Sequence, residues 1–364
     1  MHNLAVKLGK RSYSIKIGNG ILAKTGAYLS LLGIGKNSVI ITNPKIKRLY
    51  VNILKKSLIK EDITAHILTV PDSESSKSYK ILSDLINSVA KLDKGERPFI
   101  MAFGGGVIGD LAGFVAAVYR RGVPLIQIPT TLVAQVDSSI GGKVAIDLPI
   151  AKNLVGAFHQ PKIVISDISL LKTLPEREVM CGLSEIIKYS IISSRRFFDF
   201  ISRNITSLKK LQNKTLKYAI RRCCLIKSKI VSMDEKDTKG VRAILNYGHT
   251  IGHAIEAASR YRGAYNHGEA IAIGMVAAAN IANKMGMLKS KDLMDIKNVI
   301  NKAGLPIHVQ GLKSSKILEA ISHDKKFIHG INRFILPARI GKVWVVENIP
   351  QRFVLEAIKE AVDR

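Results

Sequence analysis

The chain has 364 residues, 47% of them hydrophobic and only 11 of them proline, which describes a globular protein long enough for two cores rather than a disordered one. The formal net charge is +28, yet the 38 lysines and 18 arginines are spread along the whole chain, with no basic arm or aromatic-interleaved basic stripe, and this argues against a nucleic-acid partner. Three cysteines, Cys181, Cys223 and Cys224, make no disulfide framework and lack zinc-ligand spacing, as expected for a reducing compartment.

The opening stretch, MHNLAVKLGKRSYSIKIGNG, has no apolar core of a signal peptide, so the cytoplasm is the expected location. NSVIITN (37–43), TAHILTV (64–70), RPFIMAF (97–103), VPLIQIP (123–129) and KIVISD (162–167) read as strands. Helical patterns such as SYKILSDLINSVAKL (78–92) and VIGDLAGFVAAVYRR (107–121) lie between them, and this alternation implies parallel strands with crossover helices. Beyond LKTLPERE (171–178) long helical segments take over, with one late hairpin in RFILPARIGKVWVVE (333–347). AIAIGMVAAANIA (270–282) is too short to span a bilayer and reads as a buried helix, so no membrane is expected. The expectation is an α/β Rossmann-like domain over residues 1–175 and a mostly α-helical domain over 176–364.

Gly104, Gly106 and Gly109 in FIMAFGGGVIGDLAGF satisfy G-x-G-x-x-G between a strand and a helix, where a backbone can approach a diphosphate. The same glycines also suit any tight strand-to-helix turn. Asp72 and Glu74 follow one strand end, and Thr130 and Thr131 follow another; ligands of open α/β sheets gather beyond such ends. In QVDSSIGGKVAIDLPIAKNLVGAFHQP (135–161), Asp137, Lys143, Lys152 and Asn153 sit among glycines and apolar residues, and the lysines suit phosphate or carboxylate. Further on, Glu185 and Lys188 share a helix face in GLSEIIKYSII. NYGHTIGHAIEA (246–257) puts His249 and His253 four apart on one face, and AYNHGEAIAIGM adds His267. An open zinc site wants three N/O ligands, so Glu185, His249, His253 and His267 are four candidates for three places. Spacing alone favours the 249/253 pair, although no glutamate base stands between the two as it would in a zinc protease.

Taken together, GGGVIGDLAGF, RGVPLIQIPTTLVAQVDSSIGGK, KNLVGAFHQP, LKTLPERE, GLSEIIKY, NYGHTIGHAIEA, HGEAIAIGM and DKK closely resemble the 3-dehydroquinate synthase family of sugar phosphate cyclases, in family order over roughly residues 70 to 340. The resemblance implies a divalent metal, Zn2+ or Co2+, on Glu185, His249 and His267, with His253 in the substrate pocket instead. It implies NAD on Asp72, Ser73, Glu74, Ser75, Ser76 and Lys77, on Gly106, Val107, Ile108, Gly109 and Asp110, on Thr130 and Thr131, on Lys143 and Lys152, and on Leu170, Leu171, Lys172 and Thr173. It also implies a substrate pocket drawing on Arg121, Asp137, Lys143, Lys152, Asn153, Lys188, Lys227, Arg242, Asn246, His253, Lys325 and Lys326, and a homodimer in which Arg121 reaches across.

The implied substrate is a phosphorylated sugar acid, 3-deoxy-D-arabino-heptulosonate 7-phosphate. The implied reaction is transient oxidation at C5, phosphate elimination, re-reduction, ring opening and intramolecular aldol closure, with no net redox change. The chain departs from the family pattern at Ser73, Val144 and Ala151, and DEKDTKGVR (234–242) is one residue longer than the common form, which bears on Lys227. The competing readings are a related sugar phosphate cyclase and a metal- and NAD-dependent polyol dehydrogenase; a neutral polyol would not require so many anion-binding residues.

Overall fold

The computed structural model describes residues 1–259, 264–322 and 332–362. They form two compact units, Met1–Leu174 with Ile220–Lys236, and Pro175–Ala219 with Asp237–Arg364. The sequence pattern places one cut between residues 175 and 176, whereas the units interleave: the helix Asn213–Met233 begins in the second and ends in the first.

The first unit is a seven-stranded sheet. Its strands are β1 (His2–Val6), β2 (Tyr13–Gly18), β3 (Asn37–Thr42), β4 (Thr64–Thr69), β5 (Phe99–Gly104), β6 (Leu125–Pro129) and, after a separate hairpin of β7 (Lys143–Leu148) and β8 (Ala151–Phe158), β9 (Ile163–Asp167). The order is β1-β2-β9-β6-β5-β3-β4, and every pairing except β1 with β2 is parallel. Every residue of β3, β5, β6 and β9 is buried, so their centres read as short apolar runs, although Asn37, Ser38, Thr42, Gln127, Ser166 and Asp167 are buried with them.

Successive side chains go to opposite faces and into separate cores. Ile40, Met101, Phe103 and Ile126 pack with helices α1 (Thr25–Ser30) and α2 (Pro44–Ile59). Val39, Ile41, Ile100 and Leu125 pack with α3 (Tyr79–Leu92) and α4 (Gly106–Val118). The chain leaves β3 for β4 on one side and returns to β5 on the other, so the strand order reverses between β3 and β5. In open α/β sheets that crevice, beyond the carboxyl ends, is where ligands bind.

The hairpins β1–β2 and β7–β8 are not among the strands the sequence pattern predicts, although YSIKI in β2 alternates buried apolar with half-buried polar side chains. In β8 most residues are exposed, so no apolar face marks it. The hairpin is nevertheless anchored: a β-carbon on Gly113 of α4 would lie 2.3 Å from Cγ1 of Val144.

The second unit is helical: α5 (Glu176–Ser193), α6 (Arg195–Lys209), the first residues of α7 (Asn213–Met233), α8 (His249–Ala258), α9 (His267–Lys284), α10 (Ser290–Ala303), α11 (Ser314–Ser322) and α12 (Gln351–Val362), with the antiparallel hairpin β10 (Arg333–Arg339) and β11 (Lys342–Glu347). Helix α9 is buried from Ala270 to Ala282 and is built largely of small residues. Glycines set its closest contacts. A β-carbon on Gly274 would lie 2.0 Å from the Gly248 carbonyl oxygen, so α8 and α9 approach backbone to backbone. Among the described residues no helix is long and apolar enough to cross a membrane.

Candidate functional site

In the α/β unit the glycine loop closes β5 and opens α4 at the point where strand order reverses. The loop is packed too tightly for side chains: a β-carbon on Gly105 would come within 2.9 Å of Thr131 Cγ2. Thr130, buried at the end of β6, donates its backbone N–H to the Gly104 carbonyl at 2.9 Å, tying the two strand ends together. On the other side of the crevice, Asn43 at the end of β3 caps α2 through its Oδ1 and donates from Nδ2 to Asp72 Oδ1 at 2.8 Å. Ser73 Oγ caps the short turn Glu74–Ser76, and Ser76 Oγ donates to the Pro71 carbonyl at 2.8 Å. Leu170 and Leu171 are buried after β9, and Thr173 Oγ1 lies 2.7 Å from the Tyr50 hydroxyl.

Lys77 is the hub of this unit's charges. Its buried Nζ lies 2.9 Å from Asp110 Oδ2, 3.7 Å from both Glu74 and Asp147, and also contacts Asn153 Oδ1. Burial disfavours its charge, but the carboxylates outweigh burial and raise its pKa, so it stays an ammonium. Lys152 Nζ reaches Glu74 at 3.8 Å. Asn153 holds a left-handed backbone at φ 52°, which asparagine tolerates better than most, and its N–H donates to Asp147 Oδ1 at 2.8 Å. Lys227 pairs with the Asp137 carboxylate and donates to its carbonyl at 2.9 Å. Lys143 is exposed at the start of β7, and Arg121 lies exposed in a turn whose φ is 60°.

In the helical unit, Glu185 and Lys188 project from the fully buried stretch of α5 and pair with each other. His249 opens α8 after Gly248, whose φ of 80° needs glycine. His267 opens α9, where a capping box fixes the start: Asn266 Oδ1 accepts from Glu269 N at 2.9 Å and Glu269 Oε2 accepts from Asn266 N at 2.8 Å. Arg177 grips Glu269 with two hydrogen bonds of 2.9 and 2.7 Å, tying the first turn of α9 to that of α5.

Glu185 Oε1 consequently lies 3.7 Å from His249 Nε2 and 3.4 Å from His267 Nε2. Among the described residues two groups of donors come within 4.8 Å of one another: Glu185, His249 and His267, and His253, Glu256 and His267. The first is buried at two of its three members, whereas His253 in the second is exposed. Burial, then the charge of Lys188, push His249 well below the usual imidazole range, so it is neutral and able to bind a metal. Burial works against charge on His267 too, but hydrogen bonds to Glu185 and Glu256 outweigh it and raise its pKa to about 10. Two imidazoles and a carboxylate make a donor set suited to Zn2+ or Co2+, and three protein ligands is the number catalytic zinc sites use. Arg242 is buried and Asn246 half-buried in the turn preceding α8. Lys325 and Lys326 lie outside the described residues.

The profile described as 3-dehydroquinate synthase N-terminal matches residues 67–181, and the one described as 3-dehydroquinate synthase C-terminal matches 182–327. The chain belongs to the 3-dehydroquinate synthase family. It is 44% identical over 357 residues to the 3-dehydroquinate synthase of Pelotomaculum thermopropionicum, covering 98% of this chain and 96% of that one. To that of Desulforamulus reducens it is 42% identical over 361 residues, covering 99% and 100%. A 2-deoxy-scyllo-inosose synthase solved with carbaglucose-6-phosphate, NAD+ and Co2+ superposes with a TM-score of 0.89 at 29% identity, over 99% of this chain and 100% of that one. A glycerol dehydrogenase from Schizosaccharomyces pombe shares the fold, with a TM-score of 0.70 at 16% identity over 95% and 88%.

Within this 3-dehydroquinate synthase family fold, three residues stand out that the sequence motifs do not single out. Asn43 binds Asp72, Asp147 binds Lys77 and the Asn153 backbone, and Glu256 binds His267. Only Glu256 had a usable signal: it lies seven residues after His249, on the same helix face.

Proposed function

We propose that this protein is a 3-dehydroquinate synthase, a phosphate-eliminating carbon–oxygen lyase. It converts 3-deoxy-D-arabino-heptulosonate 7-phosphate to 3-dehydroquinate and inorganic phosphate, the second step of the shikimate pathway leading to aromatic amino acids. The observation that carries the reading is the gathering of Glu185, His249 and His267 in a family whose relatives match this chain at 42–44% identity over nearly its whole length. The polyol dehydrogenase reading has only the fold in its favour.

When bound, NAD supplies a reversible hydride acceptor and the Zn2+ or Co2+ a Lewis acid for the substrate oxygen. In the α/β unit, NAD is assigned to the loop from Gly106 to Asp110, the segment from Asp72 to Lys77, Thr130, Thr131, Lys143, Lys152 and the residues from Leu170 to Thr173. The amino end of α4 presents unpaired N–H groups that suit a diphosphate. In the helical unit, Glu185, His249 and His267 are assigned to the metal. The family resemblance assigns the substrate's phosphate and carboxylate to Lys143, Lys152, Lys188, Lys227, Arg242 and Arg121, with Lys325 and Lys326. Asp137 orients Lys227, Asn153 and Asn246 offer amide hydrogen bonds, and His253, exposed beside the metal donors, holds or moves a proton. The proposed enzyme is a cytoplasmic homodimer.

The test is incubation with the heptulosonate phosphate, catalytic NAD and Zn2+, following phosphate release and product identity. Phosphate and dehydroquinate form without accumulating NADH. Stoichiometric NADH from a polyol, with no phosphate released, would overturn the reading.

A further inference from the structure

Glu256 is buried on α8 and has no part in the assignments above. Its Oε2 lies 3.3 Å from His267 Nδ1, while Nε2 of the same ring faces Glu185 Oε1 at 3.4 Å. A neutral imidazole has one N–H and one lone pair, and which nitrogen carries which is set by its neighbours. His249 shows the rule with a backbone partner. Its Nδ1 lies 3.1 Å from the Tyr247 carbonyl, which only accepts, so Nδ1 keeps the hydrogen and Nε2 keeps the lone pair towards Glu185. Glu256 stands to His267 as that carbonyl stands to His249.

The second donor group, His253, Glu256 and His267, uses these same atoms. As a cation site it would need Nδ1 of His267 as a ligand, together with an exposed His253.

We infer that Glu256 is a positioning residue: it accepts the Nδ1–H of His267, fixing one tautomer and ring angle, so that Nε2 is presented beside His249 Nε2 and Glu185. The inference rests on the assignment of Glu185, His249 and His267 as metal ligands. A carboxylate behind a ligating histidine typically changes metal affinity by about 10- to 100-fold.

The test strips the full-length protein of metal and titrates it with Co2+ against a competing chelator, recording visible absorption and metal content. Glu256→Leu keeps most of the volume but removes the acceptor; Glu256→Gln keeps one accepting oxygen. The expected result is one ion per chain in the wild type, about 10- to 100-fold weaker binding with an altered cobalt spectrum in Glu256→Leu, and binding within about threefold of wild type in Glu256→Gln. Unchanged affinity and spectrum in Glu256→Leu overturn the inference, as does equal loss in both variants. Two ions per chain in the wild type, with one lost in both variants, overturn it by making Glu256 a ligand. Nitrogen-15 NMR of the zinc-loaded wild type tests it without any variant: His267 metallated at Nε2 and protonated at Nδ1 is expected, and the reverse overturns it. A His249→Ala protein that keeps full metal would instead sink the ligand assignment itself, whatever the Glu256 variants do.

Discussion

A β-carbon on Gly268 would stand 2.3 Å from the Cα of Cys181 and 2.7 Å from its carbonyl oxygen. The first turn of α9 therefore lies directly on the backbone of α5. Cys181 is four residues before Glu185 and Gly268 is the residue after His267, so this contact sets the distance between two metal donors. Gly268→Ala must push backbone against backbone, which no side-chain rotation relieves. The expected cost is about 1–3 kcal/mol of stability, with a parallel loss of metal. Thermal unfolding of the metal-free protein and metal content by elemental analysis check both; a fully metallated variant of wild-type stability contradicts the close approach.

His249 and His253 share a helix face, with ring centroids 5.3 Å apart, but only His249 is buried beside Glu185. His249→Ala should lose metal and activity together, since two protein ligands are too few for a catalytic zinc site of the usual kind. His253→Ala should keep most of its metal and slow turnover by ~100-fold or more, the range of general acid–base groups. The measurement is metal per chain alongside rate in both proteins. Equal metal loss would make the i, i+4 pair the site.

Metal binding should release protons. In the metal-free protein His267, raised to about 10, is charged at neutral pH, whereas His249 is neutral there. Binding must remove the His267 proton and finds none on His249, so near pH 8 about one proton leaves per ion bound. Apparent affinity should rise about tenfold per pH unit from pH 7 to 9. For the metal-free fold the sign is opposite. A raised histidine adds stability that is complete below its unfolded value of about 6.5 and is lost as pH rises through about 10. Calorimetry in buffers of different ionisation enthalpy counts the protons; a count of zero contradicts this account.

His159 gives the α/β unit an acid sensitivity. Burial lowers its pKa, against the opposing effect of the Val123 carbonyl, which lies 2.8 Å from Nε2. The folded protein thus binds this proton less readily than the unfolded chain does. The stabilisation is complete above about pH 6.5 and is lost as pH falls through the lowered folded value. His159→Gln, which keeps a donor for the carbonyl, should flatten the pH dependence of the urea midpoint between about pH 7 and 5. An unchanged slope would show that His159 contributes nothing there.

The parallel core of the α/β unit could be read from residue order, because strands buried on both faces are apolar through their centres, as Val39–Ile41, Phe99–Phe103, Leu125–Ile126 and Ile163–Ile165 are. The glycine loop and the late hairpin β10–β11 were equally plain. The hairpin β7–β8 was not, since its exposed residues follow no period-two pattern and its anchor, Val144 against Gly113, is a contact between segments 31 residues apart. Nor could residue order show that part of α7 joins the first unit. At the metal donors, helical spacing brought His249 and His253 together and left four candidates for three places. The family motifs favoured one set, but local geometry could not, because a helix relates only its own residues. Three helices had to meet, through Gly248, Gly268 and Gly274, before Glu185 and His267 stood beside His249 and Glu256 behind His267. Residue identity and period determine which faces are buried and which chemistry is on hand; which donors share a space is decided by backbone approach between helices far apart in the chain.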